Sequence, residues 1–236
     1  MLNGKRALVT GGTRGIGRRI AELLVEKGAQ VTVTGTRPES VAPTGCALQV
    51  VDFADRDALL AFAARTGENA PDILVNNAGI NRVAPFATLP IEDFELVQRV
   101  NVLAPFALCQ AVLPAMTAQG WGRIVNISSI WGKISKEHRA AYSTSKFGLD
   151  GMTAALAAEV AAQGVLANCV APGFIDTELT RTVLGTAGIA ELTAKVPARR
   201  LGTVDEVAAF VVWLASPENT FISGQNIAID GGFTRV

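Results

Sequence analysis

The chain has 236 residues, 49% of them apolar and 18% charged, which suits one α/β domain with a large core and argues against disorder. Lys+Arg and Asp+Glu balance at 21 each without a block of like charge, so no basic face for nucleic acid is announced. The stretch that reads as most apolar, Val207–Ala215, is about half a membrane span, and the opening residues hold no secretory-type apolar run.

Cys46, Cys109 and Cys169 are scattered and odd in number, and there is one histidine. That pattern predicts buried, reduced thiols in the cytoplasm, with neither a disulfide framework nor a catalytic metal.

In chain order, Ala7–Thr10 reads as a buried strand running into TGGTRGIG and a helical pattern over Ile16–Lys27. Gly11, Gly15 and Gly17 let the backbone turn sharply and approach a pyrophosphate, which the following helix N-terminus attracts. The spacing departs from plain GxGxxG, with three residues between the first two glycines. Thr13, Arg14 and Ile16 fall within the same turn and join the expected cofactor contacts.

A second strand, Val31–Thr34, ends at Gly35, where an acidic residue would bind the ribose 2′-hydroxyl of NAD. Thr36 and Arg37 follow, and Arg14 reaches the same space; two guanidiniums and a hydroxyl without a carboxylate suit a 2′-phosphate. The expected cofactor is therefore NADP(H), with NAD(H) as the lesser option. Ala47–Val51 is the third strand, followed by Asp52, placed to meet adenine, and Phe53 beside it.

A helix over Asp55–Arg65 leads to strand Ile73–Asn77, a long helical pattern over Ile91–Gln119, and strand Arg123–Ser128. Next come a polar loop with Lys133, Lys136, His138 and Arg139, a helix over Ala141–Gln163, and strand Val165–Val170. Segment Glu178–Arg200 breaks the rhythm and reads as a lid beyond a strand end. Helix Val204–Ala215 and strand Asn226–Ile229 complete the chain. Strand–helix alternation implies a parallel sheet with helices on both faces. The predicted fold class is α/β: a single doubly wound Rossmann domain over residues 1–236, with a seven-stranded, mostly parallel sheet and a lid at about 178–200.

Tyr142 and Lys146 stand four apart on a helix and share a face. A lysine ammonium and an oxidised nicotinamide would pull the phenol down by roughly 1–3 units, toward acid/base use. Tyr142 is the only tyrosine beside ten phenylalanines, so packing alone does not account for it. Ser129 follows a strand end, where its hydroxyl can steady a developing oxyanion, and alternation points Ser128 the other way.

TGGTRGIG, NNAG (Asn76–Gly79), Asn101, NISS (Asn126–Ser129), YSTSK (Tyr142–Lys146) and PG (Pro172–Gly173) occur together in this order. In that order and spacing the chain resembles the short-chain dehydrogenase/reductase family along essentially its whole length. Its ending, from Arg200 to Gly232, looks like the 3-oxoacyl-acyl-carrier-protein reductase branch, a form shared by many sugar and alcohol dehydrogenases.

The resemblance implies catalytic roles for Asn101, Ser129, Tyr142 and Lys146, with Asn101 holding a water that links the lysine to solvent. It implies that Asn77, Ala78 and Gly79 line the adenosine side of the cleft. Tyr142 and Lys146 also grip the nicotinamide ribose, and Pro172, Gly173, Ile175 and Thr177 meet the carboxamide and pyrophosphate. Ser129, Trp131, Tyr142 and Phe174 are expected to face the substrate, with Ile130, Ile134 and Leu184–Leu192 nearby.

A nucleotide-sensing regulator that had lost catalysis would show damage among these four residues, and all are intact. An epimerase or dehydratase would need a larger substrate domain. The expected activity is hydride transfer between nicotinamide and a small carbonyl or secondary alcohol, with acyl-carrier-protein reduction as the first alternative. The expected assembly is a homotetramer, with Leu149, Met152 and Leu156 as a partner-facing stripe.

Overall fold

The computed structural model describes residues 1–236, apart from the side chains of Leu179, Val183 and Leu184. Seven strands form one sheet: β1 (Arg6–Val9), β2 (Gln30–Gly35), β3 (Cys46–Val50), β4 (Ile73–Asn76), β5 (Gly122–Ile127), β6 (Val165–Pro172) and β7 (Asn226–Ile229). Their order is β3-β2-β1-β4-β5-β6-β7, and every pairing is parallel, so "mostly parallel" becomes wholly parallel. The order reverses between β1 and β4, which opens a crevice at their carboxyl ends.

The helices are α1 (Gly15–Glu26), α2 (Arg56–Glu68), α3 (Ile91–Gln98), α4 (Ala104–Ala118), α5 (Ala140–Val160), α6 (Glu178–Lys195) and α7 (Val204–Leu214). Strand alternation divides the core. Ala7, Val9, Val31 and Val33 join Ile20 and Leu24 of α1 and Val207 and Val211 of α7 on one face. Leu8, Leu74 and Ile124 meet Leu59 and Phe62 of α2, Leu108 and Val112 of α4 and Leu156 of α5 on the other. Leu156 is thus core, and Leu149 is 1% exposed, so the expected partner-facing stripe mostly packs inward.

Three elements differ from the sequence reading. The predicted helix Ile91–Gln119 is interrupted by a π-helical turn, Arg99–Leu103, between α3 and α4. Ile91–Ala118 is long enough, and over an 18-residue window apolar enough, to cross a membrane, a longer run than Val207–Ala215; half of that window is buried within the fold, as in a core helix. Segment 178–200 is largely helical: α6 runs through it with a break at Gly185, whose φ of 60° leaves the helical region.

The crossover from β2 to β3, residues 36–45, contains no helix. Ser40 folds the turn back by donating its N–H to the Arg37 carbonyl at 3.0 Å. β3 is consequently a thinly covered edge, with Ala47, Gln49 and Val50 exposed.

Candidate active site

The glycine turn leaves β1 and enters α1 at Gly15. Gly11 and Gly15 have φ of 63° and 55°, a region that favours glycine. A Cβ on Gly17 would lie 2.3 Å from Asn77 Nδ2 and 2.5 Å from the Gly11 carbonyl oxygen, whereas one on Gly15 would project into open space. α1 has no side-chain cap, so its first-turn N–H groups, including that of Ile16, remain suited to an anion.

NNAG is tied to this turn. Thr10 Oγ1 accepts from the N–H groups of Asn77 and Ala78, both at 3.0 Å, and Asn77 Nδ2 donates to the carbonyls of Thr10 and Gly11. Thr13 lies beside buried Gly35, and Arg14, Thr36 and Arg37 are exposed around the end of β2. Asp52 is exposed and accepts from the Ala54 N–H at 2.9 Å. The Phe53 ring turns into the core against Phe62, centroids 5.9 Å apart, so its side chain faces away from the crevice.

The catalytic candidates converge from β5, α5 and the π turn. Ser129, just past β5, lies close enough to half-buried Tyr142 to pull its phenol down, and its Oγ accepts from the Trp131 N–H at 3.2 Å. Lys146 is buried; its Nζ donates to the Ile127 carbonyl at 2.8 Å and lies 5.5 Å from the centre of the Tyr142 ring. Burial pushes Lys146 down to about 8.

Burial also raises the Tyr142 phenol, with the Ser129 hydroxyl and the Arg139 charge pulling against it. Desolvation of the phenolate is the largest contribution from the protein itself, whereas the lowering expected from the sequence concerned the phenol beside an oxidised nicotinamide.

Asn101 sits in the π turn and braces this group. Its Oδ1 accepts from the Ile80 N–H, and its Nδ2 donates to the Ile80 carbonyl and to Ser145 Oγ, which in turn donates to the Tyr142 carbonyl at 2.7 Å. A Cβ on Gly79 would stand 3.4 Å from Asn101 Oδ1 and 3.6 Å from Lys146 Nζ, placing NNAG against the catalytic group.

Beyond β6, a Cβ on Gly173 would lie 2.8 Å from the Asp230 Cα, which explains the glycine after Pro172. Ile175 is buried and bridges to Gly202, and Thr177 Oγ1 caps α6 by accepting from the Thr180 N–H. The expected cofactor segment is thus joined directly to the expected lid.

Trp131 and Phe174 meet edge to face at 6.3 Å, and Phe233 joins them at 6.4 and 5.0 Å. Ile130 is buried and Ile134 half-buried; the Leu184 side chain lies outside the described residues. The sequence reading did not identify Phe233, Thr10, Ser145 or Ser40. Only the terminal DGGF, with positive φ at Gly231 and Gly232, hinted at a chain reversal that would return Phe233 to the wall. His138 is exposed, and the buried Cys109 and Cys169 thiols are each pushed up to about 12 by burial, whereas Cys46 is half-buried.

A glycine turn at a topological switch point, followed by a Ser–Tyr–Lys group at the same sheet edge, defines a nicotinamide-dependent oxidoreductase. Comparison with known proteins agrees. Residues 11–234 match the family profile described as enoyl-(acyl carrier protein) reductase. The 3-oxoacyl-acyl-carrier-protein reductase FabG of Vibrio cholerae is 41% identical over 241 residues, covering 98% of each chain. FabG of Escherichia coli is 40% identical over 99% of this chain and 98% of its own. A gluconate 5-dehydrogenase from Burkholderia cenocepacia, solved with NADP and tartrate, superposes with TM-score 0.90 at 35% identity, over 100% of this chain and 97% of that one. The chain belongs to the short-chain dehydrogenase/reductase family, whose members are NAD(P)-dependent enzymes acting on carbonyl and CH–OH groups.

Proposed function

We propose that this chain is an NADP(H)-dependent reductase of small carbonyl compounds in which Tyr142 donates the proton. The observation that carries the reading is the convergence of Ser129, half-buried Tyr142 and buried Lys146, whose Nζ lies 5.5 Å from the centre of the Tyr142 ring. When bound, the nicotinamide supplies the hydride. Ser129 Oγ donates to the carbonyl oxygen, Tyr142 gives its proton to the same oxygen as negative charge develops, and the Lys146 ammonium stabilises the remaining phenolate. Asn101 holds Ile80 and, through Ser145, the start of α5 in register with this group.

NADP(H) fits the residues present. The turn from Gly11 to Gly17 with the α1 N-terminus accepts the pyrophosphate, while exposed Arg14, Thr36 and Arg37 accompany a strand that ends in Gly35 and not in a carboxylate. The NADP complex of the Burkholderia relative supports the same choice. Residues 1–236 act as one catalytic domain with a lid at about 178–200. Exposed Phe106 on α4 and Phe147 on α5 support assembly as a homotetramer, with a light-scattering mass of one chain as the contrary result.

A second reading, reduction of acyl chains on a carrier protein, is favoured by the reductases that match at about 40% identity. Thr117–Trp121 and Glu159–Gly164 contain no basic residue to grip an acidic carrier. They meet at Gly120 and Gly164, however, before β5 and β6 and opposite the catalytic edge, so this absence says nothing of the cleft rim in one chain.

NADPH oxidation by the wild type and Tyr142→Phe, with small ketones, sugars, oxo acids and acetoacetyl thioesters, tests both readings. Tyr142→Phe is expected to lose about 10²–10⁴-fold in turnover while keeping its affinity for NADPH; near-wild-type activity would remove Tyr142 from the reaction. A carrier-protein thioester preferred about tenfold, roughly 1.4 kcal/mol, would establish the second reading.

A further inference from the structure

Arg139 is the N-cap residue of α5 and Tyr142 its third helical residue. N-cap and N3 side chains lie over the same opening turn of a helix, the relation a capping box exploits. The Arg139 guanidinium is therefore carried on the same turn as the phenol, and its charge is felt there as a downward pull. Arg139 Nε is buried and has no hydrogen-bond partner. Among the described residues Arg139 enters no ion pair, although Arg18, Arg19, Arg82, Arg181 and Arg200 all do.

A guanidinium donor withdrawn from water without a partner costs free energy unless something else satisfies it. The neighbouring charges do not neutralise it. Glu137 and His138 are exposed, Lys133 donates to the Asn226 carbonyl, and Lys136 lies 5.6 Å from the centre of the Trp131 ring with its charge acting on Glu191 of α6.

We infer that Arg139 binds a carboxylate on the substrate, so that the small carbonyl compound reduced here is an oxo acid and the product a hydroxy acid. This rests on the reductase reading above and narrows its substrate class. A guanidinium fork matches a carboxylate in shape. Arg139 is the one charge whose field is felt at the Tyr142 phenol, and one guanidinium balances a single negative charge, whereas a phosphate dianion would be only half compensated. The aromatic wall of Trp131, Phe174 and Phe233 then packs the carbon skeleton, and Arg139 sets which end of it enters first.

The test compares acids with their neutral twins. Acetoacetate, 2-oxobutyrate and levulinate are each assayed beside their methyl esters with NADPH, using wild type, Arg139→Gln and Arg139→Lys. The wild type is expected to prefer at least one acid over its ester by tenfold or more. Arg139→Gln should raise KM for that acid by about 10–100-fold, the range of a lost charged hydrogen bond, and cut the acid-over-ester preference by the same factor, any loss common to both reporting only the altered field at Tyr142; Arg139→Lys should recover part of the preference.

A second readout does not need turnover. The NADP-loaded Tyr142→Phe protein is titrated with 3-hydroxybutyrate and its methyl ester, following thermal stabilisation. Stabilisation by the acid alone, lost on adding Arg139→Gln, supports the inference even if no carbonyl is reduced, in which case only the reductase reading fails. Reduction of esters as fast as acids, unaffected by Arg139→Gln, overturns the inference and leaves the reductase reading standing. Equal stabilisation by acid and ester, or none by either, also overturns it.

Discussion

At Gly35 the question is space as well as charge. A Cβ there would stand 2.7 Å from Cβ and Oγ of Ser40, closer than real Cβ atoms approach, and 3.1 Å from Thr13 Cγ2, a tight contact. Gly35→Asp alone is therefore expected to weaken NADPH use without producing efficient NADH use. Gly35→Asp combined with Ser40→Gly should move kcat/KM toward NADH. If the single substitution switches preference as well as the pair, the packing argument is wrong.

Lys146 gives a second expectation at this scale. Its value of about 8 lies below the ordinary lysine range, so its ammonium is lost earlier as pH rises. Carbonyl-reduction kcat/KM should hold near neutrality and fall through about pH 8, as the charge facing the phenolate disappears. A profile flat to about pH 10 would mean that Lys146 keeps an ordinary lysine pKa. Tyr142, Lys146 and Ser129 were legible in the sequence because helical spacing and strand-end position are local properties. The burial that raises the phenol was not, because it depends on segments distant in the chain.

Among the elements, β5 shows how a charge can fasten a sheet to its covering helix. Arg123 is 5% exposed, and its guanidinium donates to the carbonyls of Gly122, Gly164, Ser216 and Asn219. Trp121 is flanked by two cations, Arg123 at 4.7 Å and Lys5 at 3.9 Å from its ring centre. Arg123→Met would keep much of the volume and leave several buried carbonyls unpaired. A loss of roughly 2–4 kcal/mol in denaturant unfolding is expected, most of it from those orphaned acceptors; a change under about 0.5 kcal/mol would show that water replaces the guanidinium.

The π turn at Arg99–Leu103 is the converse case for legibility. Apolar periodicity carries straight from Ile91 to Gln119, and one extra residue in a turn barely disturbs it. The helix was legible, but the bulge that carries Asn101 was not. Phe233 escaped for a different reason: its place in the wall depends on a terminal reversal through Gly231 and Gly232.

Over the whole molecule, every strand and most helices were legible because a parallel sheet covered on both faces requires continuous apolar runs separated by helical periods. Which apolar residues remain outside was less legible. Leu149 and Leu156 read as an outer stripe on α5 but belong to the core, while Phe147 is 46% exposed and Phe106 on α4 is 49% exposed. A face pattern assigns a residue to one side of a helix; only the neighbours decide which side meets water.

The helix-free crossover at residues 36–45 makes the molecule unequal in its resistance to opening. β3 has one strand neighbour and thin cover, so its amide protons should exchange with solvent well before those of β1, β4 and β5, through local rather than global unfolding. The same crossover bears Thr36 and Arg37, which are proposed to hold the 2′-phosphate. Saturating NADP(H) should therefore slow exchange in β2 and β3 more than in β6 and β7, measured by deuterium uptake, and uniform slowing would contradict this. The nucleotide then serves as a clasp for a fraying margin, and the depleted protein is most open to proteases at the end where cofactor identity is read.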